Sequence, residues 1–139
     1  MRYSMDLHLN RTELTALRLL DKNCSKHISI INDIYSFKKE VLAQKTGHPE
    51  GAYLCSAVKV VAAETSLGIA AAKRVPWAMI REWELAHEAM TEALASDSST
   101  AVQDYVCGLR CQMSGNELWS RTTPRYLDPA RQTGAEFDV

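Results

Sequence analysis

Three oxygen-bearing side chains, Asn32, Ser36 and Glu40, recur at four-residue spacing in one segment of the sequence. Because successive residues of an α-helix are about 100° apart, this spacing places an amide, a hydroxyl and a carboxylate in one row along successive turns. Hard cations prefer such oxygen ligands, and magnesium often shares its shell with substrate phosphates, whereas zinc and iron favour histidine or cysteine. The row therefore predicts a Mg²⁺ site.

Lys39 lies on the same face of the predicted helix, directly before Glu40. A lysine beside a cation site is favourable only if a strongly anionic group, such as a diphosphate, lies between the two positive charges. The alternative interpretation is that these side chains form a solvated polar face, as on many surface helices. Spacing alone does not decide between the two.

The elements that must position these residues are predicted to be helices. Alanine and leucine are abundant, and only six glycines and four prolines interrupt the 139 residues. The apolar spacing predicts a short helix over 12–19 leading into a long one over 21–45, two helices within 52–95 that meet near Pro76, and a helix over 100–120 capped by Ser98, Ser99 or Thr100. Loops over 47–51 and 96–100 and an irregular tail after Pro124 complete a predicted all-α helical bundle.

The composition excludes several classes of protein. A length of 139 residues predicts one compact domain. Sixteen basic and seventeen acidic residues give a net charge of −1 without a block of like charge, which argues against a nucleic-acid partner. The start has no secretory pattern and no apolar run reaches about 18 residues, so we expect a cytoplasmic protein that does not bind membranes. The four cysteines form no CxxC pair and are expected to be free thiols.

Two motifs resemble those of one enzyme family. The run over 32–40, NDIYSFKKE, resembles the second metal motif of class I terpene synthases, (N/D)Dxx(S/T)xxxE, with a lysine before the glutamate as in fungal sesquiterpene cyclases. The run over 115–120, GNELWS, followed by Arg125 and Tyr126, resembles the closing helix of that family and its Arg-Tyr pair. Shorter stretches over 50–52, 54–60 and 81–85 are similar to aristolochene synthase-like cyclases, so the resemblance covers nearly the whole chain.

The resemblance implies a fold, a reaction and a set of roles. The fold would be the C-terminal half of the all-α class I terpenoid synthase bundle, and the reaction would convert farnesyl diphosphate to a cyclic hydrocarbon, for which aristolochene is the nearest candidate, and diphosphate. Asn32, Ser36 and Glu40 would bind one of three Mg²⁺ ions. Lys39, Arg125 and Tyr126 would donate hydrogen bonds to the diphosphate and so help it to leave, for which a guanidinium, an ammonium and a phenol are suitable groups.

Trp119 is the candidate for the hydrocarbon side of the reaction. The carbocation left after ionisation needs a dry pocket with aromatic groups, and an indole face can stabilise a desolvated cation by about 2 kcal/mol. The alternative is that Trp119 is simply a core tryptophan. Trp77 and Trp83 are assigned to packing.

The sequence departs from the pattern of the family at one point. The aspartate-rich motif DDxxD, which binds the other two Mg²⁺ ions in the family, has no counterpart in it. The resemblance therefore implies that residues 1–139 are the C-terminal portion of a single terpene synthase catalytic domain and that this chain alone is inactive. Helix faces left without partners in such a portion predict self-association, for example as a homo-oligomer.

Two other interpretations compete with a cyclase. The first is a non-catalytic or vestigial helical fragment of such an enzyme. The second starts from Glu84 and His87, which form an ExxH pair of the kind found in di-iron bundles. Those sites need two such pairs and two further glutamates, and the sequence has no second ExxH.

Overall fold

The computed structural model describes residues 5–45, 55–95 and 98–126. Every regular element in these ranges is helical, which confirms the predicted all-α fold. No helix in this part of the chain is long and apolar enough to cross a membrane. The predicted loop over 47–51 and the tail beyond Tyr126 lie outside the described residues. The elements are α1 (Arg11–Lys45), α2 (Ala57–Thr65), α3 (Ile69–Ala72), α4 (Arg74–Ala95) and α5 (Thr100–Thr122), followed by a 3-10 turn over Pro124–Tyr126.

Helix α1 runs for 35 residues without a break, so the predicted boundary between a short and a long helix near residue 20 is wrong. Its first turn is closed by a capping box, in which the backbone N–H groups of Asn10 and Glu13 each donate to the side chain of the other residue, at 2.8 and 3.0 Å. Buried Leu17, Leu20 and Cys24 continue one apolar stripe across the predicted boundary. Packing of this stripe favours continuation of the helix.

The region over 52–95 contains three helices rather than the predicted two. Pro76 lies in the first turn of α4, where its missing N–H costs little, so one of its two predicted roles, that of opening a helix, is confirmed. The additional break separates α2 from α3. Ser66 ends α2 in the left-handed region, at φ 55°, and Gly68 precedes α3. A left-handed serine is uncommon, so the sequence pattern did not indicate this end.

Helix α5 is capped by Ser99, one of the three predicted caps. Its Oγ accepts a hydrogen bond from the N–H of Val102 at 3.3 Å. The helix ends at Thr122, slightly beyond the predicted end. The chain then turns, with the N–H of Tyr126 donating to the carbonyl of Thr123 at 3.3 Å, and the resulting 3-10 turn contacts α1.

Helix α1 is the central element of the described residues. It packs against α2, α4, α5 and the 3-10 turn, and it contributes to two buried clusters, one of which also includes a residue of α3. Full burial of one large aliphatic side chain contributes about 1.5–3 kcal/mol, so both clusters fix α1 firmly. The second cluster lies beside the segment that carries the predicted metal row. The first joins α1 to α5 through Leu17, Leu20, Cys24, Val102, Tyr105, Val106, Leu109 and Met113, and the second joins α1 to α2, α3 and α4 through Ile31, Ile34, Phe37, Val58, Ala72 and Ile80.

Candidate metal and diphosphate site

The predicted row of Asn32, Ser36 and Glu40 lies on one uninterrupted helix, α1. The Ser36 hydroxyl donates to Glu40 Oε1 at 2.5 Å, so these two side chains already converge. Ser36 is only 4% exposed, Glu40 is partly buried and Asn32 is exposed. Within the row, burial is therefore greatest at Ser36, between the exposed Asn32 and the partly buried Glu40.

The side-chain oxygens of this row are chemically suited to bind a magnesium ion. Amide, hydroxyl and carboxylate oxygens are hard ligands, and the row itself contains no histidine or cysteine that would favour a softer metal. Neighbouring ligands of an octahedral magnesium ion are roughly 2.9 Å apart, given metal–oxygen distances of 2.0–2.1 Å. The Ser36–Glu40 distance of 2.5 Å shows that the backbone of α1 permits such a close approach.

The 3-10 turn after α5 brings a second predicted site residue onto this row. The Asn32 side-chain amide donates to the Tyr126 hydroxyl at 2.6 Å, although the two residues are 94 positions apart. Of the Arg-Tyr pair, Tyr126 therefore lies in direct contact with the predicted metal row.

Lys39 and Arg125 are next in sequence to two residues of this site. Lys39 precedes Glu40 on α1, and Arg125 precedes Tyr126 in the 3-10 turn. Both residues are exposed. Each of these exposed cations is thus a chain neighbour of a residue that belongs to the row or contacts it.

Trp119 lies next to this site rather than in the core. It is 48% exposed and is not part of either buried cluster of the described residues. Its ring meets the ring of Tyr126 edge to face, with centroids 5.6 Å apart and an interplanar angle of 81°. Trp119 and Tyr126 thus form a small aromatic surface beside Asn32.

Asp33 has a structural role that was not predicted from the sequence. Its Oδ2 accepts a hydrogen bond at 2.7 Å from the N–H of Ala57, the first residue of α2. The Ser56 hydroxyl accepts from Val58 at the same helix end. As the residue after Asn32, Asp33 is rotated by about 100° around α1, which turns it away from the metal row. The second residue of the motif therefore anchors α2 to α1.

Lys73 provides another link to the same turn of α1. Its Nζ donates to the carbonyl oxygen of Ile34 at 3.2 Å and lies 5.2 Å from the centroid of the Phe37 ring. Burial, together with the nearby charge of Lys38, lowers the pKa of Lys73. No motif marks this lysine, because its partner is a backbone carbonyl.

Glu84, the first residue of the ExxH pair, belongs to an ion-pair network. Its carboxylate lies 3.0 Å from His27 Nε2 and 2.7 Å from the guanidinium of Arg81, which also binds Glu117 at 2.9 Å. The ligand atoms of His27, Glu84 and Glu117 lie within 4.8 Å of one another, a spacing that suits a metal. Arg81 already supplies the positive charge that these carboxylates require, and its bonds to Glu117 and Glu84 raise its pKa. The network ties α1, α4 and α5 together.

His87, the second residue of the ExxH pair, faces a different partner. Its Nδ1 lies 3.5 Å from Asn23 Nδ2, and the residue is 1% exposed. Burial lowers the pKa of His87, and the charges of Arg110 and His27 lower it further. Because Glu84 and His87 contact different groups, the ExxH pair does not form the shared ligand set of a di-iron bundle.

Comparison with known proteins shows the family of the chain. The family described as terpene synthase family 2, C-terminal metal binding, matches residues 1–86. Aristolochene synthase of Penicillium roqueforti is 55% identical over 129 residues, covering 91% of this chain and 38% of that enzyme. Aristolochene synthase of Aspergillus terreus is 49% identical over 128 residues, covering 91% of this chain and 40% of that enzyme.

The crystal structure of the Penicillium roqueforti aristolochene synthase matches the fold, with a TM-score of 0.76, 46% sequence identity and coverage of 88% of this chain and 40% of that one. The chain thus spans about two fifths of the length of the relatives that it matches. Because the family matches more than half of its residues, the chain belongs to terpene synthase family 2, in the C-terminal metal-binding region.

Proposed function

We propose that residues 1–139 form the C-terminal portion of the catalytic domain of a sesquiterpene cyclase, which ionises farnesyl diphosphate and converts it to a cyclic hydrocarbon and diphosphate. The observation that carries this proposal is the contact between Asn32 and Tyr126, since it joins two motifs that are 94 residues apart. A merely solvated polar face on α1 would not account for this contact with the 3-10 turn.

Asn32, Ser36 and Glu40 would hold a Mg²⁺ ion. When bound, that ion supplies the positive charge that stabilises diphosphate as a leaving group. Lys39 and Arg125 add cationic hydrogen-bond donors, and an arginine can bind two oxygens of one phosphate group at once. The Tyr126 hydroxyl adds a neutral donor. Together these side chains would bind the diphosphate and keep it oriented as negative charge develops on it.

The aromatic surface of Trp119 and Tyr126 is suited to the hydrocarbon part of the substrate. An indole ring attracts a carbocation through its electron-rich face, and the attraction reaches about 2 kcal/mol once water is excluded. Since the relatives are named aristolochene synthases, aristolochene is the product that we propose first. Its selection would depend on a pocket contour to which residues outside this chain contribute.

The lack of an aspartate-rich motif in the printed sequence supports a further element of the proposal: the chain alone has negligible activity. One row of oxygens would hold about one cation where the family uses three. The same observation supports the second candidate function, a non-catalytic or vestigial helical fragment. The two candidate functions predict different activities after an aspartate-rich motif is added: a cyclase portion becomes active, and a vestigial fragment does not.

The test is terpene formation with and without an added N-terminal portion. The purified chain is incubated with farnesyl diphosphate and Mg²⁺, and the headspace is analysed by gas chromatography and mass spectrometry. The assay is repeated after fusion to the N-terminal portion of the Penicillium roqueforti aristolochene synthase. We expect hydrocarbon only from the fusion, and none from a fusion carrying Glu40→Gln. An inactive but folded fusion would favour the vestigial fragment, and hydrocarbon from the chain alone would contradict the expected dependence on a second motif.

A further inference from the structure

The hydrogen bond between Asn32 and Tyr126 has a direction that matters for the metal row. The Asn32 Nδ2 group donates and the Tyr126 oxygen accepts, at 2.6 Å. The two arms of a carboxamide point in different directions, so fixing Nδ2 on Tyr126 leaves Oδ1 free of this contact and sets its orientation. Oδ1 is the atom of Asn32 with which a magnesium ion would bind.

The same bond leaves the Tyr126 proton unused. A phenolic hydroxyl can accept one hydrogen bond and donate another, and here Asn32 occupies the accepting side. The proton therefore remains available for an anionic oxygen. Donation to an anion would in turn polarise the hydroxyl in a chain of hydrogen bonds that starts at the amide.

The position of the hydroxyl is itself fixed. The Tyr126 N–H bonds to the carbonyl of Thr123, and the ring rests edge to face against Trp119. Asn32 is exposed, and among the described residues its side-chain amide has no second partner that would fix its broad terminal torsion. The 3-10 turn thus fixes the Tyr126 hydroxyl, and this hydroxyl in turn orients the Asn32 side-chain amide.

We propose that Tyr126 is a positioning residue for Asn32 and that it couples metal binding to diphosphate binding, an inference that rests on the proposed function. The hydroxyl holds the amide so that its oxygen is oriented before the metal arrives. An anion that accepts a hydrogen bond from the Tyr126 hydroxyl strengthens the same chain of hydrogen bonds. Because coupling between two ligands is reciprocal, each of them then tightens the binding of the other.

Removal of the Tyr126 hydroxyl alone should show how much the orientation of Asn32 contributes to metal binding. Tyr126→Phe keeps the ring against Trp119 but leaves the Asn32 amide free to rotate. Groups that orient a metal ligand typically account for 10–100-fold in metal affinity. Since Asn32 is one of three donors in the row, we expect the lower end of that range, a loss of about tenfold.

The probe is Mn²⁺, which substitutes for Mg²⁺ and whose free form is counted by electron paramagnetic resonance. Mn²⁺ is titrated into the 139-residue chain without diphosphate, and again with inorganic diphosphate. The variants are Tyr126→Phe, Asn32→Ala and a matched control, Tyr35→Phe. Tyr35 lies on the same helix, but its ring packs edge to face on Trp77, with centroids 6.0 Å apart. Circular dichroism establishes that each variant is folded.

We expect Tyr126→Phe to weaken Mn²⁺ binding about tenfold without diphosphate and to reduce the tightening that diphosphate causes, while Tyr35→Phe changes neither. Equal Mn²⁺ affinities of the wild type and Tyr126→Phe would overturn the positioning role and leave the proposed metal site intact. An Asn32→Ala variant with unchanged Mn²⁺ affinity would instead contradict the proposed function itself.

A measurement on the unmodified chain covers the case in which Tyr126→Phe fails to fold. In ¹⁵N-labelled protein, the side-chain amide protons of Asn32 should show nuclear Overhauser contacts to the Tyr126 ring. These contacts should persist when Mg²⁺ is added. Their absence in the metal-free chain, or their loss on addition of Mg²⁺, would overturn the inference.

Discussion

A single carboxylate, that of Asp33, links α1 to α2, and its removal should lower stability. Asp33→Ala leaves the N–H of Ala57 without its acceptor at 2.7 Å. Loss of a helix cap typically costs about 1 kcal/mol, so we expect the free energy of unfolding to fall by about that amount. Denaturation by urea, followed by circular dichroism, measures the change.

Asp33→Asn is the matched control, because its amide oxygen can still accept from Ala57 and only the charge is lost. Asparagine and aspartate are nearly equivalent as helix caps, so this variant should lose much less stability than Asp33→Ala. Equal losses in the two variants would show that charge, and not the hydrogen bond, anchors α2. Unchanged stability in both would contradict the anchoring role.

The residues of the site differ in how far the sequence could predict them. The common face of Asn32, Ser36 and Glu40 follows from helix geometry alone. The proximity of Tyr126 to Asn32 came only from resemblance to a family, because no local pattern encodes a contact across 94 residues. The partner of Asp33 was not predicted, since it is a backbone N–H in a different helix.

At the scale of elements, the contact between α1 and α4 contains the buried His87, which lies against Asn23. We therefore expect the stability of the fold to depend on pH. Burial lowers the pKa of His87 below the ordinary value of 6.5. Between the two pKa values the unfolded chain binds a proton at His87 that the folded chain does not, so acid favours unfolding. Stability is therefore complete above about pH 6.5 and falls as the pH is lowered, by at most about 1.4 kcal/mol per pH unit.

The measurement is the free energy of unfolding from pH 7.5 to 5.5 for the wild type, His87→Gln and His8→Gln. Replacement of His87 should reduce the dependence of the unfolding free energy on pH. Replacement of His8 should not, because its side chain is 93% exposed. Equal slopes in the wild type and His87→Gln would show that another group controls the acid sensitivity.

Element boundaries were predictable where a residue type enforces them and not elsewhere. Pro76 opens α4 because proline tolerates a first turn, and Ser99 caps α5 because its hydroxyl satisfies a free N–H. The end of α2 depends on a left-handed Ser66, a conformation for which serine has no preference. The continuity of α1 past residue 20 is decided by packing on α5, which a local pattern does not contain.

At the scale of the whole molecule, large apolar side chains remain on the surface. Leu19 is 66% exposed, Leu85 65% and Leu118 54%, and these residues belong to three different helices, α1, α4 and α5. In the proposed cyclase, further helices of the catalytic domain would cover such faces. The chain on its own should then bury them by contact with other copies, because extended apolar surface in water favours association.

We therefore predict that the purified chain self-associates with rising concentration and binds the dye ANS, whereas the fusion that carries an N-terminal portion is a monomer with little dye binding. Sedimentation velocity and ANS fluorescence measure the two effects. Replacement of Leu19 and Leu85 by glutamine should lower both in the isolated chain, while replacement of exposed Lys22 by glutamine should not.

The leucine variants also separate two causes of association. If loss of their apolar surface leaves the oligomer unchanged, and near-ultraviolet circular dichroism lacks the signal of ordered aromatic side chains, association comes from a loosely packed core rather than from these two side chains.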